Sequence, residues 1–152
     1  MEGFGPLAVQ RPISVLLVED DPGDTLMIRE VLETHAPGTD VAAVGDGVDA
    51  LRYLRKQGEF AGRRRPDLVL LDLNMPRKDG REVLAEVKAD DDLCSIPIVV
   101  LTTSESAQDI LRSYQLQANA YVTKPADFDD FTRVVRAIER FFGQVVQLPR
   151  LN

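Results

Sequence analysis

Asp67-Leu68-Val69-Leu70-Leu71-Asp72-Leu73-Asn74-Met75-Pro76 is the stretch that decides the fold. Its apolar run lacks the polar alternation of a half-exposed strand. A strand apolar on both faces belongs in the middle of a parallel sheet, with helices covering each side. The run ends on an acid, Asp72, and breaks into a loop closed by Asp79-Gly80. Beyond that loop Val83, Leu84 and Val87 recur at helical spacing.

The same alternation extends both ways. Upstream, Ile13-Ser14-Val15-Leu16-Leu17-Val18 reads as a buried strand running into Glu19-Asp20-Asp21-Pro22-Gly23. A helix is predicted from about 24 to 35, closed by Pro37-Gly38. Val41-Ala42-Ala43-Val44 is a weaker strand, and Val48, Leu51 and Leu54 mark the helix after it. Downstream, residues 96 to 101 form a fourth strand, with Pro97 near its start where a missing donor is tolerated. A helix from about 107 to 115 precedes a short fifth strand, Ala120-Tyr121-Val122. The last helix runs from about 127 to 142 and carries Phe128, Phe131, Val135, Ile138 and Phe142 as one apolar stripe.

Five βα units with right-handed crossovers predict an α/β fold: a doubly wound, five-stranded parallel sheet in a three-layer sandwich. The 152 residues fit one domain. Residues 1–11 read as a flexible leader, 12–143 as the domain and 144–152 as a tail. The tail's apolar residues, with Phe141 and Phe142, exceed what one helix face buries. They predict either a dimer contact or a tail folded onto the body.

In an open parallel sheet, function gathers at the carboxyl ends of the strands. Glu19, Asp20 and Asp21 follow the first strand, and Asp72, Leu73 and Asn74 the third. Thr102, Thr103 and Ser104 follow the fourth, and Thr123, Lys124 and Pro125 the fifth. Any one acid could simply cap a helix, as Asp21 beside Pro22 is placed to do. The whole set has no such explanation. Two carboxylates 4 Å apart repel by about 1 kcal/mol in water and by about 4 at an effective dielectric near 20. Folding gathers such groups around a cation, and oxygen ligands without His or Cys suit Mg²⁺, or Mn²⁺ in its place. A carboxylate beside such an ion can attack phosphorus and form an aspartyl phosphate. The metal and a lysine neutralise charge on the transferring group. Asp72, at the end of the middle strand, is the expected nucleophile.

Composition narrows the field. The formal net charge is −7 and the one basic cluster, Arg63-Arg64-Arg65, is short, which argues against a nucleic-acid surface. That cluster reads as a solvated loop. A single cysteine, Cys94, excludes a disulfide framework and fits a reducing, cytoplasmic setting. No apolar run approaches the ~20 residues of a membrane helix.

Val18-Glu19-Asp20-Asp21, Leu71 to Pro76, Asp79-Gly80, Leu101-Thr102-Thr103 and Lys124-Pro125 resemble, in order and spacing, the receiver domain of two-component response regulators. The likeness covers residues 13 to 142 and implies the flavodoxin-like (βα)5, CheY-like fold. It implies that Asp72 takes a phosphoryl group from a histidine kinase. Asp20 and Asp72 would ligate Mg²⁺, Asn74 would add a backbone carbonyl, and Glu19 would act through water. Thr102 and Lys124 would bind the phosphoryl group, and Tyr121 is the aromatic switch residue. Thr103 stands where smaller residues are common, so its bulk is expected to slow access to the acceptor. The Lys124–Pro125 bond is expected to be cis. Glu19 departs from the more usual Asp, which leaves the charge and moves its position. The family signals; it is not an enzyme beyond self-catalysed phosphotransfer and autodephosphorylation.

A narrower likeness lies in Ala50-Leu51-Arg52-Tyr53-Leu54-Arg55, in Leu71 to Leu84, in Leu101 to Ser104 and in the tail. These are similar to the single-domain regulators that pair with bacterial phytochromes. That implies a red-light-sensing kinase as phosphodonor and a homodimer. An aspartyl-phosphate phosphatase would need a second acid where Asn74 stands, and a P-loop NTPase a Gly-rich lysine loop. Output through a partner protein and service as a phosphate sink or relay both remain open. A DNA-binding regulator would need a basic helix-turn-helix, which the sequence lacks.

Overall fold

A computed structural model describes residues 12–150. The leader expected over 1–11 lies outside them. Five parallel strands form one sheet in the order β2-β1-β3-β4-β5. They are β1 (Ser14–Val18), β2 (Asp40–Val44), β3 (Leu68–Leu71), β4 (Ile98–Thr102) and β5 (Ala120–Thr123). Five helices alternate with them: α1 (Pro22–His35), α2 (Gly47–Leu54), α3 (Gly80–Ala89), α4 (Ala107–Gln115) and α5 (Phe128–Arg140). The strand that opened the reading is central, paired with β1 through Leu71↔Val18 and with β4 through Leu71↔Val100.

Alternation of side chains along the strands splits the core into two layers. On one face Leu16, Val18, Val69, Leu71, Ile98 and Val100 meet α2 and α3 through Leu51, Leu54, Val83, Leu84 and Val87. On the other, Val15, Leu17, Leu68, Leu70, Val99 and Leu101 meet α1 and α5 through Ile28, Leu32, Phe131, Val135 and Ile138. This is the three-layer, doubly wound architecture expected from the βα alternation. The strand order reverses between β1 and β3, which opens the crevice used by such sheets.

Most predicted boundaries shift by a residue or two, each for a local reason. α1 starts at Pro22 because Asp21 caps it, its Oδ2 accepting from the Asp24 amide at 3.0 Å, and because proline suits the first helical position. β4 starts at Ile98, since Ile96 still belongs to a turn that bonds back to Leu93. The stripe on α5 begins at Phe131. Phe128 is 66% exposed, about 60° round the helix from Phe131 and in its first turn. α5 ends at Arg140 and passes into a π-helical turn, Phe141–Val145. Glu139 lies over Gly143, where a Cβ would meet Glu139 Oε2 at 2.7 Å.

The tail folds back onto the body: Phe142 and Leu148 pack against the α1/α5 layer of the core. Phe141 and Val145 stay 48% and 51% exposed. The three arginines at 63 to 65 serve their own segment. Arg63 lies over the Tyr53 ring, Arg64 pairs with Asp67, and Arg65 Nε donates to the Leu54 carbonyl at 3.1 Å.

Candidate functional site

Each strand that carries a site residue is prolonged by one ladder bond past its end. The amide of Glu19 donates to Val44 O at 3.0 Å, that of Asp72 to Val18 O at 3.0 Å, and that of Lys124 to Thr102 O at 2.7 Å. Those bonds carry β1, β3 and β5 one residue further, with β4 between the last two, so the three side chains emerge at one end of the sheet. From below, Gly80 opens α3 against the acceptor strand. A Cβ there would lie 2.2 Å from the Asp72 carbonyl oxygen, so only glycine allows this approach. A capping box between Asp79 and Glu82 sets the helix start that delivers Gly80. From the side, Arg77 sits in the left-handed region at φ 64° and pairs with Asp46 and Asp49 of the α2 start. That pairing holds the loop bearing Asn74.

Glu19, Asp20 and Asp72 bring one carboxylate oxygen each within 4.8 Å of one another. Glu19 and Asp72 are buried and Asp20 is exposed. Lys124 reaches in from the end of β5. Its Nζ donates to Glu19 Oε1 at 2.5 Å, to Asp24 Oδ2 at 2.9 Å and to Asp72 Oδ2 at 3.2 Å. The Asp21 amide donates to Glu19 Oε2 at 3.0 Å, and the Asn74 amide makes a long 3.4 Å contact with Asp72 Oδ1. Burial would lower the lysine's pKa, but its bonds to Glu19 and Asp24 outweigh that and raise it, so Lys124 keeps its proton. Burial pushes the Glu19 carboxyl up to about 7, against the pull of Lys124 and the Asp21 amide. Four acids thus face one lysine. The excess of negative charge and the all-oxygen donor set fit a hard divalent cation.

The hydroxyls and the aromatic lie beside this cluster. Thr102 is fully buried, and the Ser104 amide points at its Oγ1 from 3.5 Å. Thr103 is exposed at the head of the next loop. Tyr121 is half-buried against the α2/α3 layer, and its Oη donates to Ser104 O at 2.9 Å. The Lys124–Pro125 bond is trans, since no described peptide bond is cis. Trans is the form an X–Pro bond prefers by about 0.5–1 kcal/mol. With it, Lys124 still reaches all three carboxylates. Asp24 is the residue the sequence reading passed over. In the first turn of a helix an acid looks like a partner for the helix dipole, and nothing in the chain's spacing reports the lysine that folds down beside it.

The sequence profile of the response regulator receiver domain matches residues 15–136. The chain belongs to this family. Response regulator Rcp1 of Synechocystis sp. is 46% identical over 138 residues, which is 91% of this chain and 94% of that protein. Among solved structures, the phosphorylated cyanobacterial phytochrome response regulator RcpA superposes with a TM-score of 0.89 at 46% identity, covering 92% of this chain and all of that one. The Mn²⁺-bound form of Rcp1 gives 0.87 at 45% identity, over 91% of this chain and all of that one. This receiver is therefore a signalling regulator of a phosphorelay, which implies a histidine kinase as its partner and a divalent metal at its acidic cluster.

Proposed function

We propose that Asp72 accepts a phosphoryl group from the phosphohistidine of a phytochrome-type sensor kinase. The observation that carries this is the position of Asp72, with Lys124 Nζ at 3.2 Å and carboxylates of Glu19 and Asp20 within 4.8 Å. An Asp72 carboxylate oxygen forms the new O–P bond as the P–N bond of the phosphohistidine breaks. The electron pair stays on the imidazole nitrogen, which takes up a proton. Lys124 trades its bonds to Glu19 and Asp24 for a phosphoryl oxygen, and Thr102 Oγ1 donates to another. Tyr121 follows the loop that Thr102 pulls, which carries the change to the surface.

Asp20, Asp72, the Asn74 backbone carbonyl and, through water, Glu19 would hold Mg²⁺. When bound, the ion neutralises charge on the transferring group. Exposed Thr103 restricts water and small donors at the acceptor, which limits autodephosphorylation. The kinase assignment is supported by the likeness to Rcp1 and RcpA along nearly the whole chain. A cytoplasmic setting is consistent with such a partner.

Replacing Asp72 with Asn tests the reading: phosphate transfer from the phosphorylated kinase should vanish. Label that persists on another residue overturns it. The exposed Phe141 and Val145, beside Phe142 and Leu148 packed on the core, support a contact with a second copy of the chain. Sedentary packing is the rival, and sedimentation of Phe141→Ser with Val145→Ser decides: an unchanged mass removes these residues from any dimer.

A further inference from the structure

Thr102 does not end at the phosphate site. The Ser104 amide points at Thr102 Oγ1 from 3.5 Å, a weak contact, while the rest of Ser104 is tied down elsewhere. Its carbonyl accepts from Tyr121 Oη at 2.9 Å, and its hydroxyl donates to Asp109 Oδ2 at 2.7 Å. Asp109 lies in the first turn of α4. Its other oxygen, Oδ1, accepts from Arg81 Nη2 at 2.7 Å and Nε at 3.3 Å. Arg81 lies in the first turn of α3, next to Gly80, which packs directly on the Asp72 backbone. One carboxylate therefore joins the helix fixed beneath the acceptor to the loop that follows the phosphate-binding threonine.

We propose that Arg81 and Asp109 are positioning residues that latch the β4–α4 loop in its resting place, so that a phosphoryl group on Asp72 must open the pair. This rests on the reading of Asp72 and Thr102 given above. A Thr102 that moves to bond a phosphoryl oxygen drags residues 103 and 104 with it. Ser104 cannot follow while its hydroxyl is bonded to an aspartate that Arg81 anchors to α3. The long contact to Thr102 offers little resistance; residues 103 and 104 follow through the backbone, so the short bonds at Asp109 are the ones that must break. Arg81 and Ser104 also hold the Asp109 carboxyl below its ordinary range, as expected for an acid with two donors. Asp109 could instead serve only the α4 dipole. In that case Arg81 would have no bearing on the site.

A ligand shifts a two-state equilibrium by its differential affinity, so removing a contact made only at rest tightens the active-state ligand. A half-exposed ion pair moves such an equilibrium by about two- to fivefold. Beryllofluoride, which mimics a phosphoryl group, can be titrated calorimetrically in the presence of Mg²⁺ into the full chain and into Arg81→Ala, Asp109→Asn and the double variant. Each single variant should bind about two- to fivefold tighter, and the double variant no tighter than the better single, since both remove one interaction. A merely structural lesion would weaken binding. Equal affinities, weaker binding or additive gains overturn the latch. If Asp109→Asn does not fold, Arg81→Ala alone decides. If the unaltered chain binds no beryllofluoride, the reading of Asp72 fails and the latch falls with it; if it binds and the variants do not differ, only the latch fails.

Discussion

A buried lysine and a half-buried one sit at opposite ends of this sheet, and they do different work. Lys124, at the carboxyl end, gives its ammonium to Glu19, Asp24 and Asp72. Lys88, in the last turn of α3 at the other end, donates to the carbonyls of Cys94 and Ile96 and to Asn119 Oδ1. The hydrogen-bond acceptors of Lys88 are neutral, and burial lowers its pKa against an opposing pull from Cys94. The neighbours of Lys124 are anionic, and its pKa rises in spite of burial. Lys88 stitches a turn, since Asn119 Oδ1 also accepts from the Ile98 amide at 2.8 Å and so ties α3 to the starts of β4 and β5. Lys124 stands among more acids than it can neutralise, which a merely structural lysine would not require.

The largest effect separating the two should come from Lys124→Ala. It strands carboxylates that the fold has already buried, and breaking such a group costs about 3 kcal/mol. Chemical denaturation without divalent metal should show that loss, and added Mg²⁺ should recover part of it. The variant should still accept phosphate, with a blunted conformational response. A loss no greater than that of Lys88→Ala would break the comparison.

A second test bears on the geometry beneath the acceptor. Gly80→Ala puts a methyl group 2.2 Å from the Asp72 carbonyl oxygen, so backbone must move. Overpacking of this kind costs about 1–3 kcal/mol. Because the displaced backbone is that of Asp72 itself, the phosphorylation rate should fall together with the midpoint of thermal unfolding. An unchanged rate with lowered stability would show that the acceptor's position is set from above, by Lys124, and not by α3.

These contrasts also show what the chain's order reveals and what it hides. The apolar run before Asp72 gave the central strand because burial on both faces leaves a direct mark on residue choice. The strand ends gave Glu19, Asp20, Thr102 and Lys124 because parallel topology sends every carboxyl end to one crevice. Side-chain reach leaves no such mark. Lys124 is a hundred positions from Asp24, and only the folded rotamer joins them. Phe128 fits an apolar period and yet lies in the open, because a helical period does not say where the covering layer stops. The Lys124–Pro125 bond shows the same limit: the motif carries an expectation of cis, and the folded chain has the bond trans.

The smallest predicted effect is the sharpest discriminator of the two lysines. Lys88 is depressed below its ordinary 10.5, so the unfolded chain holds its proton to higher pH than the folded one. Stability then rises with pH through the folded pKa and stops rising at 10.5. Lys124 is raised, so its contribution is complete below 10.5 and is lost only above it. Replacing Lys88 with Met should cost about 1 kcal/mol at neutral pH, the net worth of a hydrogen-bonded group whose acceptors water can reach. Measured by denaturation from pH 8 to 10.5, the unaltered chain should gain stability relative to Lys88→Met. A constant difference would mean that Lys88 keeps an ordinary pKa, and that the two ends of the sheet do not treat a lysine differently after all.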